Sequence, residues 1–379
     1  MVRLGDEAGS YLPTGAFESF RSDLGLTYSQ ASIVLAAMGL AGLAGSVFTV
    51  AADHMSRRVL AAGGALAYAT SLTLFATAQS FLALFVAGLV LGVASTAMVD
   101  AAEVALVDEA GDDLDRQLAR QNLLAGIGDF VGPGLIIAVT ALGLSWRVAF
   151  AAGAVLLGAY GLWLATLPLP RPRPNGDGET ARDGLRIVLR DPRVWLVGAL
   201  AMFLVPLDEP FVAFLISTLD DRGSSVAAGN AIAALTIVGF LAGLAVMSRR
   251  TETTERDRRL ARGAVILALG TATALVPSIP VVCAGALVFG WGIAEVWVTL
   301  QARMYSLHPG RAGTVKAVVT VIEIGGFAMP VLAGVAADAG GPAAGLATFL
   351  GFALLMVVLA HLAPRRSGTL AEAARPDEA

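Results

Sequence analysis

From residue 29 to residue 362 the sequence is a succession of apolar runs of about twenty residues, joined by short polar turns and one longer linker. A run of that length crosses the hydrocarbon core of a bilayer as a helix, at about 1.5 Å per residue. Composition agrees: 56% of residues are apolar and 15% charged, where a soluble domain carries roughly 45–50% and 25%. The chain therefore reads as an all-α integral membrane protein.

Eleven runs are well defined, over residues 29–52, 59–78, 81–107, 122–142, 147–167, 193–218, 226–247, 261–276, 281–305, 315–337 and 343–362. Residues 1–21 form a weaker first span, because Asp6, Glu7 and Glu18 fall inside it. Residues 108–120 read as an acidic polar loop. Within 168–192, the stretch Leu-Pro-Leu-Pro-Arg-Pro-Arg-Pro-Asn-Gly-Asp-Gly cannot be helical, since proline removes donors and glycine adds entropy. The expected plan is an N-terminal six-helix bundle (1–167), a cytoplasmic linker (168–192), a C-terminal six-helix bundle (193–362) and a polar tail (363–379).

Arginine and lysine set the orientation. Twenty-two of the 26 lie on the side that holds the linker and three on the other. Both termini are thus expected in the cytoplasm when the first helix is complete, with the protein multi-pass in the plasma membrane.

Carboxylates inside the runs are the costly feature. One at the bilayer centre costs about 2.5–3.5 kcal/mol on insertion scales, and by default it faces a bundle interior or a water-filled cavity. Asp100 and Glu103 close the 81–107 run three residues apart, on one helical face. Asp6, Glu7, Asp129, Asp208, Glu209, Glu295 and Glu323 lie in other spans, with no Lys or Arg expected at matching depth. A buried carboxyl group without a basic neighbour favours its neutral form. Poised that way, it can take up a proton on one side and release it on the other. Such a lining also attracts a cationic or amine-bearing solute. Each acid has a structural alternative: capping or kinking the helix before Pro210, bonding a neighbouring hydroxyl, or satisfying backbone groups freed by Pro133.

The two halves repeat. Leu4-Gly-Asp6-Glu7 matches Pro206-Leu-Asp208-Glu209, Leu40-Ala-Gly-Leu-Ala44 matches Leu241-Ala-Gly-Leu-Ala245, and Ala102-Glu103-Val104 matches Ala294-Glu295-Val296. Ile127-Gly-Asp-Phe-Val-Gly-Pro133 likewise matches Ile324-Gly-Gly-Phe-Ala-Met-Pro330. Four short matches in one order, at offsets between 192 and 202 residues, point to a duplicated bundle with its binding site between the halves. Span seven carries fifteen residues ahead of Asp208 and span one only five ahead of Asp6. The first helix is therefore expected to be truncated, with a start upstream of Met1.

On these residues the chain resembles the major facilitator superfamily of secondary transporters along essentially its whole length. Thr49-Val-Ala-Ala-Asp53-His54-Met-Ser56-Arg57-Arg58 resembles the family's loop motif Gly-x-Leu-Ala-Asp-Arg-x-Gly-Arg-Arg. Asp53, Arg57 and Arg58 match it; Thr49, His54 and Ser56 depart from it. The resemblance implies an inner gate at the matching residues. Gly128-x-x-x-Gly132-Pro133 is similar to the motif associated with antiporters, without its trailing double glycine. The arginine that many drug–proton antiporters carry in span four is missing from residues 92–107. The family also implies two six-helix bundles related by a pseudo-two-fold axis, with spans one, four, seven and ten lining a central cavity.

These readings converge on a proton-coupled exporter of a small organic solute, cationic or amphiphilic. A proton symporter for uptake is the first alternative, and a non-transporting membrane receptor or assembly partner the second. No nucleophile–base set, metal cluster, phosphate loop or nucleotide-binding domain stands out, Cys283 is the sole cysteine, and the histidines are scattered. The chain is thus read as no enzyme, with no cofactor beyond the proton gradient, no metal and no nucleic acid. Its expected partners are the solute, protons and lipid around a monomer.

Overall fold

A computed structural model describes residues 2–45, 56–110, 114–167, 181–247, 256–308 and 312–362. These form α1 (Val2–Gly15), α2 (Phe17–Asp23), α3 (Tyr28–Gly45), α4 (Arg57–Thr77), α5 (Phe81–Ala110), α6 (Leu114–Ala141), α7 (Arg147–Leu164) and α8 (Ala181–Arg190). Then follow α9 (Pro192–Leu204), a 3-10 turn (Val205–Leu207), α10 (Glu209–Asp221), α11 (Val226–Met247), α12 (Arg256–Ala274), α13 (Ile279–Leu307), α14 (Ala312–Gly340) and α15 (Pro342–Leu362). Among the described residues, nine helical segments are long and apolar enough to cross a membrane.

Three expectations need correction. The loop expected over 108–120 is largely helix, because α5 runs to Ala110 and α6 begins at Leu114. Leu114, Gln117, Leu118 and Arg120 are good helix formers, so the polar sequence extends the helix instead of ending it. The second part of the linker is also helical: α8 holds no proline, and its Leu185, Val188 and Leu189 recur at helical spacing. Span seven is not continuous. It breaks between α9 and α10, where Pro206 and Pro210 withdraw two backbone donors.

The two halves repeat in space as they do in sequence. In the first, α1 packs on α6, α3 on α5, and α4 on both α5 and α7. In the second, α9 packs on α14, α11 on α13, and α12 on both α13 and α15. Close helix crossings repeat too: a Cβ on Gly92 would overlap the Met38 carbonyl, and one on Gly290 the Thr236 carbonyl. The corresponding spans one and seven end in the same Schellman motif, with a left-handed glycine, Gly25 after α2 and Gly223 after α10; α6 ends in such a motif too, at Gly143. The result is two six-span bundles related by a pseudo-two-fold axis.

The bundles meet along α3 with α14 and α6 with α11, a pairing that the two-fold maps onto itself. They also meet through α10, which touches both α1 and α2. At the end away from the linker, Phe17 lies 5.4 Å and Tyr28 6.1 Å from Phe214, ring to ring. Close by, Tyr11 donates to the Asn230 side chain (3.0 Å), whose amide donates to the Gly15 carbonyl (3.1 Å). Beyond this plug is an open recess of about 460 Å³, lined by Glu18, Asp23, Ser145, Trp146 and Asp220 among others. There the Arg147 guanidinium, bonded to Asp23, holds that carboxyl below its usual range. These contacts join the two bundles at the end opposite the linker.

Candidate functional site

The break in span seven builds the site. Asp208 adopts a non-helical backbone (φ −106°, ψ −123°) between two half-helices, and its side chain makes no cap hydrogen bond. Capping is therefore not its role. Asp208 is exposed and Glu209 half-exposed, at the start of α10, which packs against α1.

Span one brings Asp6 and Glu7 to the same seam, since α1 packs against α10. Asp6 is 6% exposed and accepts a 2.6 Å hydrogen bond from the Ser95 hydroxyl on α5. Tyr68, on α4, donates to the Asp6 backbone carbonyl (3.1 Å), fixing this part of α1 against the bundle. Glu7 lies 3.6 Å from Arg3, one turn back. Ser10, one turn on, donates to the Glu7 backbone carbonyl (3.3 Å). Asp129 enters from α6, half-buried and within electrostatic reach of Asp6, Glu7, Asp208 and Glu209.

The glycines of the span-five motif explain how α1 comes so close. A Cβ on Gly128 would stand 2.5 Å from the Leu4 carbonyl oxygen, and one on Gly132 would stand 2.7 Å from the Tyr11 Cβ and 3.0 Å from the Ala8 carbonyl oxygen. Gly128-x-x-x-Gly132 is the track on which α1 lies, with Pro133 just beyond it in α6. Gly132→Val is expected to cost about 1–3 kcal/mol by overpacking, read as a lower unfolding midpoint in detergent; an unchanged midpoint would show that α1 does not depend on this track.

Five of the nine candidate acids therefore converge: Asp6, Glu7, Asp129, Asp208 and Glu209. Asp100 and Glu103 belong to α5, five and eight residues past Ser95, but their side chains lie outside the described residues, as do Asp53 and the Arg57 side chain. Arg58 is exposed in the first turn of α4. Glu323 sits apart, half-buried on α14 with Lys316 as its charged neighbour.

Glu295 corrects the expectation that no base lies at its depth. It is 3% exposed and held by Arg262 of α12 through two hydrogen bonds, 2.6 and 3.0 Å, with Trp291 donating a third at 3.1 Å. In the sequence Arg262 reads with the polar turn, because it stands at the expected start of span nine. The residues that sequence reasoning misses are this arginine and the hydroxyls of Ser95 and Tyr68. Single hydroxyls in apolar runs give no signal until the neighbouring helix is known.

The chain matches the family model of the Major Facilitator Superfamily over residues 6–329. No curated protein matches it. Among solved structures it is similar to a point mutant of the nucleoside transporter NupG (14% identity, TM-score 0.77, covering 96% of this chain and 100% of that one). It is equally similar to a bacterial homolog of the human lysosomal transporter Spinster, inward-facing and occupied (15% identity, TM-score 0.77, 100% and 97% covered). A POT family transporter in complex with 5-aminolevulinic acid follows (11% identity, TM-score 0.76, 95% and 93% covered). Two matching six-span halves, acids gathered at the seam between them and a family match over most of the length agree: the chain belongs to the Major Facilitator Superfamily, as a transporter of the secondary kind.

Proposed function

We propose that the protein is a proton-coupled exporter of a small, amine-bearing or otherwise cationic organic solute. The observation that carries this reading is the convergence of Asp6, Glu7, Asp129, Asp208 and Glu209 at the seam between the bundles, with Arg3 as the cation nearest Glu7. Carboxyl groups crowded at low dielectric cannot all be ionised together, so a solute cation and a proton compete for the same sites. That competition is the physical basis of exchange. Binding of one favours release of the other, as opposite biases on one equilibrium.

Glu209 opens α10, which packs against α1 of the other half, so the state of this acid bears on how the halves meet. Asp100 and Glu103, on the same helix as Ser95, remain candidates for the same role, and Glu323 adds a separate site on α14. The loop-motif resemblance assigns the inner gate to Asp53, Arg57 and Arg58. Arginine placement assigns the linker end to the cytoplasm, with both termini there and the protein monomeric in the plasma membrane. The antiporter-like glycine track favours export over uptake. Neighbouring folds carry nucleosides and, in the POT family transporter, hold 5-aminolevulinic acid, which bears an amine; the fold tolerates many cargoes and the acids select this one.

Inside-out vesicles with an imposed pH gradient test the proposal. Amines should dissipate the gradient saturably, while neutral and anionic analogues of equal size should not. Gradient loss with anions alone would remove the cationic assignment, and transport indifferent to the gradient would remove the coupling.

A further inference from the structure

The start of α3 is completed by the other half of the molecule. A helix begins with four backbone N–H groups that lack partners within it. In α3 the third and fourth are met locally. Gln30 N donates to the Thr27 hydroxyl (3.1 Å) and Ala31 N to the Thr27 carbonyl (3.1 Å), while Thr27 N donates back to the Gln30 side chain. The first two are met by Asp338, near the end of α14: Tyr28 N donates to one carboxylate oxygen at 2.6 Å and Ser29 N to the other at 3.1 Å. The Ser29 hydroxyl donates to Asp338 as well. One acid thus takes three donors across the seam, and its charge faces the positive end of the helix dipole.

The packing beside it is equally specific. A Cβ on Gly334, one turn before Asp338, would stand 2.8 Å from the Ser29 Cα, the Tyr28 carbonyl oxygen and the Ser32 hydroxyl. Ser32 itself is fully buried there, and its hydroxyl has no hydrogen-bond partner among the described residues.

We propose that Asp338 is the latch of the end opposite the linker, a positioning residue whose carboxylate holds α14 on the start of α3 and so biases the protein towards the arrangement closed at that end. The contact exists only while the halves meet there. Charge-assisted bonds are the stronger kind, and parting the halves gives up three at once. The inference uses the transport reading only in requiring that this end open. It does not depend on proton coupling or on the identity of the solute.

The test uses the full chain with Cys283→Ser, so that Ser32→Cys becomes the sole thiol, buried in the seam without breaking a hydrogen bond. Its labelling by a membrane-impermeant maleimide is followed from each face, in intact cells and in inside-out vesicles, at matched protein levels. Asp338→Ala should raise the labelling rate about tenfold or more from the face opposite the linker and leave the other face unchanged. Asp338→Asn should fall between, and Asp338→Glu should return towards the parent. Gly334→Ala, a wedge that leaves the charge in place, should also raise the rate. If the wedge exposes the thiol while Asp338→Ala and Asp338→Asn label like the parent, the latch is overturned. Equal increases from both faces overturn it too, since they would report a loosened bundle. Should Asp338→Ala fail to accumulate, the Asp338→Asn rate decides.

Discussion

Glu209→Gln is expected to leave the protein inserted and exchanging its solute, and to bring the steady-state accumulation ratio to about one. Under one proton per solute, each unit of pH gradient is worth about 1.4 kcal/mol and supports a roughly tenfold ratio. The glutamine amide keeps the length of the side chain and can still accept a hydrogen bond. It cannot bind and release a proton. The shape of the site is then preserved while the coupling is lost, and that separation is what the experiment reads. Counterflow in proteoliposomes measures exchange; accumulation under an imposed gradient measures coupling. A variant that still concentrates its solute with the gradient would move the coupling role to another of the five acids, with Asp208 next in line at the helix break.

Arg262→Met is expected to destabilise the folded protein by about 3 kcal/mol, towards the lower end for breaking a buried pair because the Arg262 side chain is half exposed. The loss comes less from the bonds themselves than from Glu295, which stays 3% exposed with its countercharge gone. The double variant Arg262→Met, Glu295→Leu should recover most of the loss, since apolar replacements of both partners are often neutral or better. Denaturant unfolding in mixed micelles gives the numbers. Equal losses in the single and double variants would locate the effect in packing of the arginine stem. Because Glu295 is already neutralised, Glu295→Gln should keep gradient-driven accumulation above one, in contrast to Glu209→Gln.

These two acids also mark what can and cannot be read from the sequence. Asp208-Glu209 and Asp6-Glu7 are legible as a pair, because the repeat offset brings them into register and an acid inside an apolar run must be compensated. The break at Asp208 is half legible in Pro206 and Pro210, which tell where the ladder fails but not that α9 ends before the turn. Glu295 misleads, because its partner stands 33 residues away on the neighbouring helix, and a lone arginine at the edge of a run looks the same whether it points to water or inward. The helical ends of α5 and α6 escape the sequence for a related reason. Beyond the lipid a helix needs no apolar residues, so polarity marks the membrane boundary and not the end of the helix. Asp338 gives no signal of its own: an acid near the end of a span is ordinary until another helix starts beside it.

The Asp338 contact also bears on how the chain is made. Tyr28 and its acceptor are separated by 310 residues, so at roughly 5–20 residues per second a ribosome needs about 15–60 s between them. For that interval the first turn of α3 must borrow its acceptors from water or lipid head groups. The N-terminal bundle therefore emerges from synthesis with an unfinished edge, and only the arrival of α14 at the end of translation closes it.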